Sequence, residues 1–301
     1  MGAGEREYRD ALVREGLLIP TGVAGVYGRS AEFEDTVERL NAMVTDLCRD
    51  DGVTLMRFPP VLNRAHLEKS GYLKSFPHLA GSVHSFAGDE RAHRELLATV
   101  ENGGDWAAGL PRTEVMLTPA ACYPVYPTQT GTLPEGGRIA DVLSYCFRHE
   151  PSDDPARMQA FRMRENVRLA DPERVRAWRN LWFERARGYT AALALEATAV
   201  VANDPFFGRG GKLLAQSQRD LELKFEVVVP IASDTNPTAI ISLNYHQDHF
   251  GSLFGIRTAD GNVAHTACIG FGLERITLAL YRTHGTSRAA WPSGARKALG
   301  L

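Results

Sequence analysis

Residues 147–165 read FRHEPSDDPARMQAFRMRE. The stretch predicts a strand ending in Arg148 and Glu150, a turn-rich loop (Pro151, Ser152, Asp153, Asp154, Pro155), and a second strand around Phe161. Arg157, Arg162 and Arg164 crowd that second run. An arginine fork can hold a phosphate through two bonds, and an aromatic ring can stack on a purine. The stretch therefore suits a polyanionic ligand that carries a flat base. By itself it better suits a solvated hairpin with surface ion pairs, so the case for a ligand rests on the rest of the chain.

The chain has 301 residues, enough to bury a sizeable core, with 44% hydrophobic and 23% charged residues, as in an ordinary globular protein. Its net charge of −2 argues against an extended nucleic-acid surface. No apolar run is long enough to span a bilayer, and the charged start MGAGEREYRDALVREG is unlike a secretory signal. A cytoplasmic setting follows. Cys48, Cys122, Cys146 and Cys268 are widely spaced and form no CxxC pair, so they read as reduced thiols.

Outward from the opening stretch, Glu5 to Glu15 and Ser30 to Arg49 predict helices, the second with Phe33, Val37, Leu40, Val44 and Leu47 on one face. A strand then runs into Pro59-Pro60, which cannot continue a ladder. Asp171-Pro172 opens a helix expected to reach about Val201, carrying Arg174, Arg176, Arg179, Arg185 and Arg187 beside Trp178 and Trp182. Gly208 to Leu214 reads as a loop, Leu221 to Ile231 and Thr238 to Tyr245 as strands, and Leu253 to Thr258 as a shorter one. His265 to Tyr281 is a strand, a Gly-Phe-Gly turn and a helix opening with Glu274-Arg275. Strands mostly follow one another directly, which predicts an α+β fold: a mainly antiparallel sheet flanked by helices. Residues 1–285 form the expected domain, and 286–301 a loosely ordered tail.

Three features fall in a telling order. A long helix precedes the strand ending at Pro59-Pro60. Next comes the strand–loop–strand with Arg148, Glu150, Phe161 and Glu165, and last Gly270-Phe271-Gly272-Leu273-Glu274-Arg275 opens an apolar helix. Together they resemble the three signature motifs of class II aminoacyl-tRNA synthetases. The resemblance implies a class II catalytic core in which Arg148 holds the α-phosphate of ATP and Arg275 the γ-phosphate. It puts Glu150 on the adenine amine and Phe161 under the ring, with Arg157 and Met158 along the nucleotide. Ala239, Ile240, Ile241 and Ser242 fall where the family meets ATP from the opposite wall. Mg2+ is expected with ATP, with Glu226 a candidate helper, and motif one implies a homodimer.

The likeness extends to the atypical zinc-dependent seryl-tRNA synthetases of methanogens. Cys122 follows a strand in LTPAAC, Glu165 ends the second motif, and Cys268 precedes GFG. The resemblance implies that these three lie on neighbouring strands and hold one Zn2+ per subunit. The metal's fourth position would be open to the substrate's amino group, making Glu165 a substrate-binding residue. Motif one begins within the first sixty residues, so no separate tRNA-binding domain is expected, and tRNA is an unlikely partner. A core of this kind resembles the amino acid:[carrier protein] ligases. The expected function is ATP-dependent activation of glycine or alanine to an aminoacyl-adenylate, then transfer to the phosphopantetheine thiol of a carrier protein. The Arg-rich helix from Asp171 is a candidate dock for that generally acidic partner. The alternatives are a truncated seryl-type synthetase acylating tRNA or a tRNA-like partner, and a catalytically silent paralogue serving as a regulatory or binding subunit. Retention of Arg148, Glu150 and Arg275 speaks against the last.

Overall fold

The computed structural model describes residues 3–233 and 235–301. Helix α1 (Ala3–Arg14) and a hairpin of β1 (Leu18–Pro20) and β2 (Tyr27–Arg29) lead into α2 (Ala31–Leu47). Ser30 caps α2, its hydroxyl accepting from the Phe33 N–H at 3.2 Å, and Phe33, Val37, Leu40 and Val44 are buried on one face. Strand β3 (Thr54–Met56) stops short of Pro59-Pro60. Beyond the prolines come β4 (Val61–Asn63), α3 (Arg64–Lys69), α4 (Tyr72–Ser75), β5 (Ser82–His84), α5 (Glu90–Glu101) and β6 (Arg112–Leu117). The short β7 (Gly131–Thr132) precedes the long pair β8 (Arg138–Phe147) and β9 (Ala160–Ala170), then α6 (Pro172–Ala192). The remainder is β10 (Thr198–Val201), α7 (Gly208–Asp220), β11 (Lys224–Val229), β12 (Thr238–Gln247), α8 (His249–Phe254), β13 (Ile256–Arg257), β14 (His265–Gly272), α9 (Leu273–His284) and α10 (Ser293–Leu299).

Seven strands form the central sheet in the order β10-β11-β12-β14-β9-β8-β3, antiparallel throughout except for β3 beside β8. The expected α+β class is therefore the observed one. Side chains of β9 and β14 alternate between two environments, because a strand's period is two. Ala267, Ile269 and Phe271 face a core shared with α2, α6, α9 and α10. Their neighbours Cys268 and Gly270 border a cavity on the opposite face. On β9 the same alternation sends Phe161, Met163 and Glu165 to the cavity. Arg162 and Arg164 point the other way: Arg164 is buried against Asp141 of β8 and donates to Asn41 of α2 at 2.6 Å. Arg162 binds Glu34 of α2 and Glu274 of α9. The arginines that made the opening stretch look exposed thus divide, and two of them are internal fastenings.

Four local expectations give way to the tertiary context. Helix α6 ends at Ala192 rather than near Val201; the chain turns at Ala194 (φ 52°), and Thr198–Val201 pairs with β11. β-Branched Thr198, Val200 and Val201 favour that edge strand over another helical turn. Gly208 to Leu214 is not a loop but the start of α7, where Lys212 to Gln216 are good helix formers. Gly211 suits its site there because a Cβ would stand 2.6 Å from the Phe206 carbonyl oxygen. Most of Leu253 to Thr258 falls outside any strand: Leu253 and Phe254 belong to α8, leaving only Ile256–Arg257 extended. The tail is ordered. Trp291, Ala295 and Leu299 are buried against the helical layer, and Trp291 Nε1–H donates to the Gly285 carbonyl at 2.8 Å. Apolar side chains at those three positions account for it.

Candidate active site

The cavity face of the sheet encloses about 380 Å³ between β9, β14, β12 and the segments that follow β6 and β10. One end is cationic. Arg148, just past β8, donates through Nε to the Pro119 carbonyl at 3.1 Å, and its guanidinium lies 5.5 Å from the Phe161 ring centre. Arg275, in the first turn of α9, donates to the carbonyls of Ala156 (2.8 Å) and Ala239 (3.0 Å). Backbone carbonyls orient both forks without cancelling their charge. Burial, then the neighbouring Arg148 and Arg157 cations, pulls Arg275 down to about 10, which still leaves it charged at neutral pH. Burial also opposes the charge on Arg148, but Tyr72, Cys146, Asp204 and Glu150 outweigh it and its pKa is raised. Two arginines that repel each other in a partly dry cleft make a ready place for a polyphosphate.

The helix carrying Arg275 is held tightly. Buried Glu274 accepts from the Arg162 N–H at 2.7 Å and from Arg162 Nε at 2.8 Å. The start of α9 is thereby fixed to the strand that presents Phe161. Between them the loop positions Arg157, whose guanidinium lies 3.6 Å from Glu150 and 3.7 Å from Asp154.

The other end is sulphur and carboxylate. Donor atoms of Cys122, Glu165 and Cys268 all lie within 4.8 Å of one another, and all three residues are buried. The Ala121 N–H donates to Glu165 Oε1 at 2.8 Å and aims the carboxylate. Burial, then Cys268, pushes Glu165 up to about 8. Cys122 is raised by its hydrogen bond to Cys268 and by burial; Cys268 is lowered, first by accepting that bond and then through His246. Three acidic groups packed this closely suit a cation, and among the described residues none of the three forms a salt bridge. Two soft thiolates with one carboxylate fit Zn2+ and leave one coordination position free. Gly270 keeps this floor open, since a Cβ there would meet Met163 Cε at 3.2 Å and Glu165 Cγ at 3.5 Å.

The cavity brings together Cys122, Arg148, Glu150, Arg157, Phe161, Glu165, Ala239, Ile240, Ile241, Ser242, Cys268 and Arg275. Met158, expected beside the nucleotide, lies instead in the helix-side core, with Arg29 Nη2 3.6 Å from its sulphur. Cys122 does not come from a central strand: it sits in the turn after β6, a strand of the separate β4-β6-β5 sheet, and meets Glu165 and Cys268 from above. Glu226 borders the cavity but is 3.0 Å from Lys224, a buried lysine that also binds Asp204 at 2.5 Å. The arginines of α6 are largely engaged within the chain. Arg174 binds Asp171, Arg179 the Glu222 carbonyl, Arg185 Asp51 and Arg187 Glu184, while Arg176 lies over Tyr245. Sequence reasoning missed His246 and Phe250, which line the cavity near Cys268, and Tyr126, buried and stacked behind Phe250. The polar run His246-Gln247-Asp248 closing an apolar strand was the available signal.

The mainly antiparallel sheet with its flanking helices has the fold of a class II synthetase catalytic domain. Its fold matches M. kandleri SerRS, solved with A. aeolicus tRNASec, at a TM-score of 0.82 and 21% identity, covering 97% of this chain and 60% of that one. The chain belongs to the amino acid–[acyl-carrier-protein] ligase family. It is 47% identical over 282 residues to amino acid–[acyl-carrier-protein] ligase 1 of Bradyrhizobium diazoefficiens, covering 93% of this chain and 86% of that protein. A more distant relative is the type-2 serine–tRNA ligase of Methanopyrus kandleri, 28% identical over 59% of this chain and 36% of its own length. No protein-family model matches.

Proposed function

We propose that this protein activates a small amino acid, glycine or alanine, with ATP and passes it to the phosphopantetheine thiol of a carrier protein. The observation that carries the reading is one cavity with two carbonyl-anchored arginines at one end and a buried Cys-Glu-Cys triad at the other. Phe161 offers a platform for adenine, and Glu150 an acceptor for its amine. Arg148 and Arg275 would hold the α- and γ-phosphates with Mg2+, Glu226 assisting from β11. Cys122, Glu165 and Cys268 would hold a Zn2+, which would supply a Lewis-acid site for the substrate's α-amino group. The amino-acid carboxylate then lies free to attack the α-phosphorus, and the bond to pyrophosphate breaks. Arg148 stabilises charge on the α-phosphoryl oxygens as it develops, and Arg275 the charge on departing pyrophosphate. In the second half-reaction the carrier's sulphur attacks the acyl carbon, AMP leaves, and the thiol proton passes to solvent.

We read Phe250, backed by Tyr126 stacked on it with ring centres 3.8 Å apart, as a rigid aromatic wall of the amino-acid end that selects for the smallest side chains. The subunit is proposed to pair through α2, and an ATP-fed pathway suits the cytoplasm; among the described residues no helix is long and apolar enough to cross a membrane. Amino-acid-dependent ATP–pyrophosphate exchange, run with glycine, alanine and serine, tests the first half. Transfer of label to a phosphopantetheinylated carrier but not to tRNA tests the second. Absence of exchange with every small amino acid would sink the proposal, and acylation of tRNA alone would redirect it.

A further inference from the structure

The end of β12 carries a distortion that the reaction outlined above does not use. Tyr245 pairs with Ala267 of β14, but the next pair is Gln247 with Thr266, so His246 is an extra residue in a β-bulge. Gln247 adopts φ 54°, in the left-handed region that strains a non-glycine residue. Bulges of this kind re-aim a side chain. Here the result is an imidazole turned onto the cavity floor, edge-on to Phe250 at 5.1 Å and to Tyr126 at 6.0 Å between ring centres.

Both ring nitrogens are engaged. Nδ1 lies 3.0 Å from the hydroxyl of Thr266, and Nε2 lies 3.6 Å from Cys268 Sγ. Thr266 is fully buried, and its hydroxyl bonds to no other group among the described residues. A buried hydroxyl proton without an acceptor is costly, so it goes to Nδ1. With Nδ1 accepting, the ring N–H is on Nε2 and points at the sulphur. Asn244, directly opposite Cys268 in the ladder, adds a second N–H at 3.5 Å. Two donors converge on one sulphur of the triad.

We propose that His246 is a positioning residue of the metal centre: oriented by Thr266, it donates from Nε2 to the Cys268 thiolate and stays outside the metal's own coordination. This rests on the zinc reading of the triad. The bulge thereby fixes the direction of the sulphur, while the fourth coordination position stays available to the substrate's amine. The test uses metal-stripped full-length protein, titrated with Zn2+ against a competing chelator and, separately, loaded with Co2+ for absorption spectroscopy. His246→Leu is expected to lose zinc affinity by about 10- to 100-fold and to shift the sulphur-to-cobalt charge-transfer band. His246→Gln, whose amide can donate from a similar place, should recover most of both. Thr266→Val, nearly isosteric, should shift the same band by less, and it carries the test if the leucine variant does not fold. Unchanged affinity and spectrum in His246→Leu overturn the inference. So does a change in the number of cobalt ligands, which would make His246 a ligand. Failure of the unaltered protein to bind either metal would instead overturn the triad reading itself.

Discussion

At the scale of single residues, the chemistry depends on charges that the protein orients without neutralising. Arg275 spends its hydrogen bonds on two carbonyls and remains cationic even though burial and two nearby arginines pull it down to about 10. Arg275→Ala is expected to cut the rate of pyrophosphate exchange by about 10²–10³, the usual consequence of removing one preorganised electrostatic contact. Arg275→Lys should recover only part of this, since a point charge cannot reproduce the fork. Steady-state exchange kinetics with zinc content measured in parallel check it; loss of zinc in either variant would mean that the two ends of the cavity are not separable. The triad gives the complementary expectation. If the triad holds zinc as proposed, Cys122→Ala would leave two ligands of three and should abolish stoichiometric zinc while sparing ATP binding, seen by metal analysis beside nucleotide titration.

At the scale of elements, the motifs work because they are fastened from behind. Arg164 of β9 and Asp141 of β8 are both buried, and Arg164 also reaches Asn41 and Thr45 of α2. Truncating Asp141 to alanine would strand a guanidinium in the core, which typically costs about 3–5 kcal/mol. Urea denaturation should show the midpoint falling with little change in slope; a loss well under 1 kcal/mol would mean that water reaches the site. The alternation of β9 explains why its sequence misleads when read alone. Phe161 and Glu165 face the ligand side, whereas Arg162 and Arg164 look like phosphate binders yet serve the helix layer. Period-two patterning separates the two sets once the cavity face is known, but composition does not.

At the scale of the whole molecule, the C-terminal segment closes the helical layer rather than trailing from it. Trp291 is 2% exposed and packs on Tyr281 and His284, while the backbone carbonyls of Leu299 and Gly300 accept from Arg39 of α2. Ending the chain after His284 removes these contacts, and Trp291→Ala alone should cost about 3–5 kcal/mol. Thermal unfolding checks both changes, and an unchanged midpoint in the truncated chain would show the segment to be dispensable. Such a variant should lose stability before any zinc affinity, because α10 packs on α2 and α6, the helical layer on the side of the sheet opposite the triad.

The sequence determined the element types along most of the chain, where α2 and α6 begin, and the order of three motifs that resembles a class II core. Those features are local, or depend only on order, and survive without coordinates. Tertiary structure decided what the residues face. It took Met158 away from the cavity, brought Cys122 in from a turn in another sheet, turned a glycine-rich stretch into α7 and packed the tail into the core. It also placed His246 on Cys268, through a bulge that no periodicity announces. The physical reason is the same in each case. A side chain's burial and its partners are set by contacts between segments distant in the chain, and local propensity is too weak to resist them.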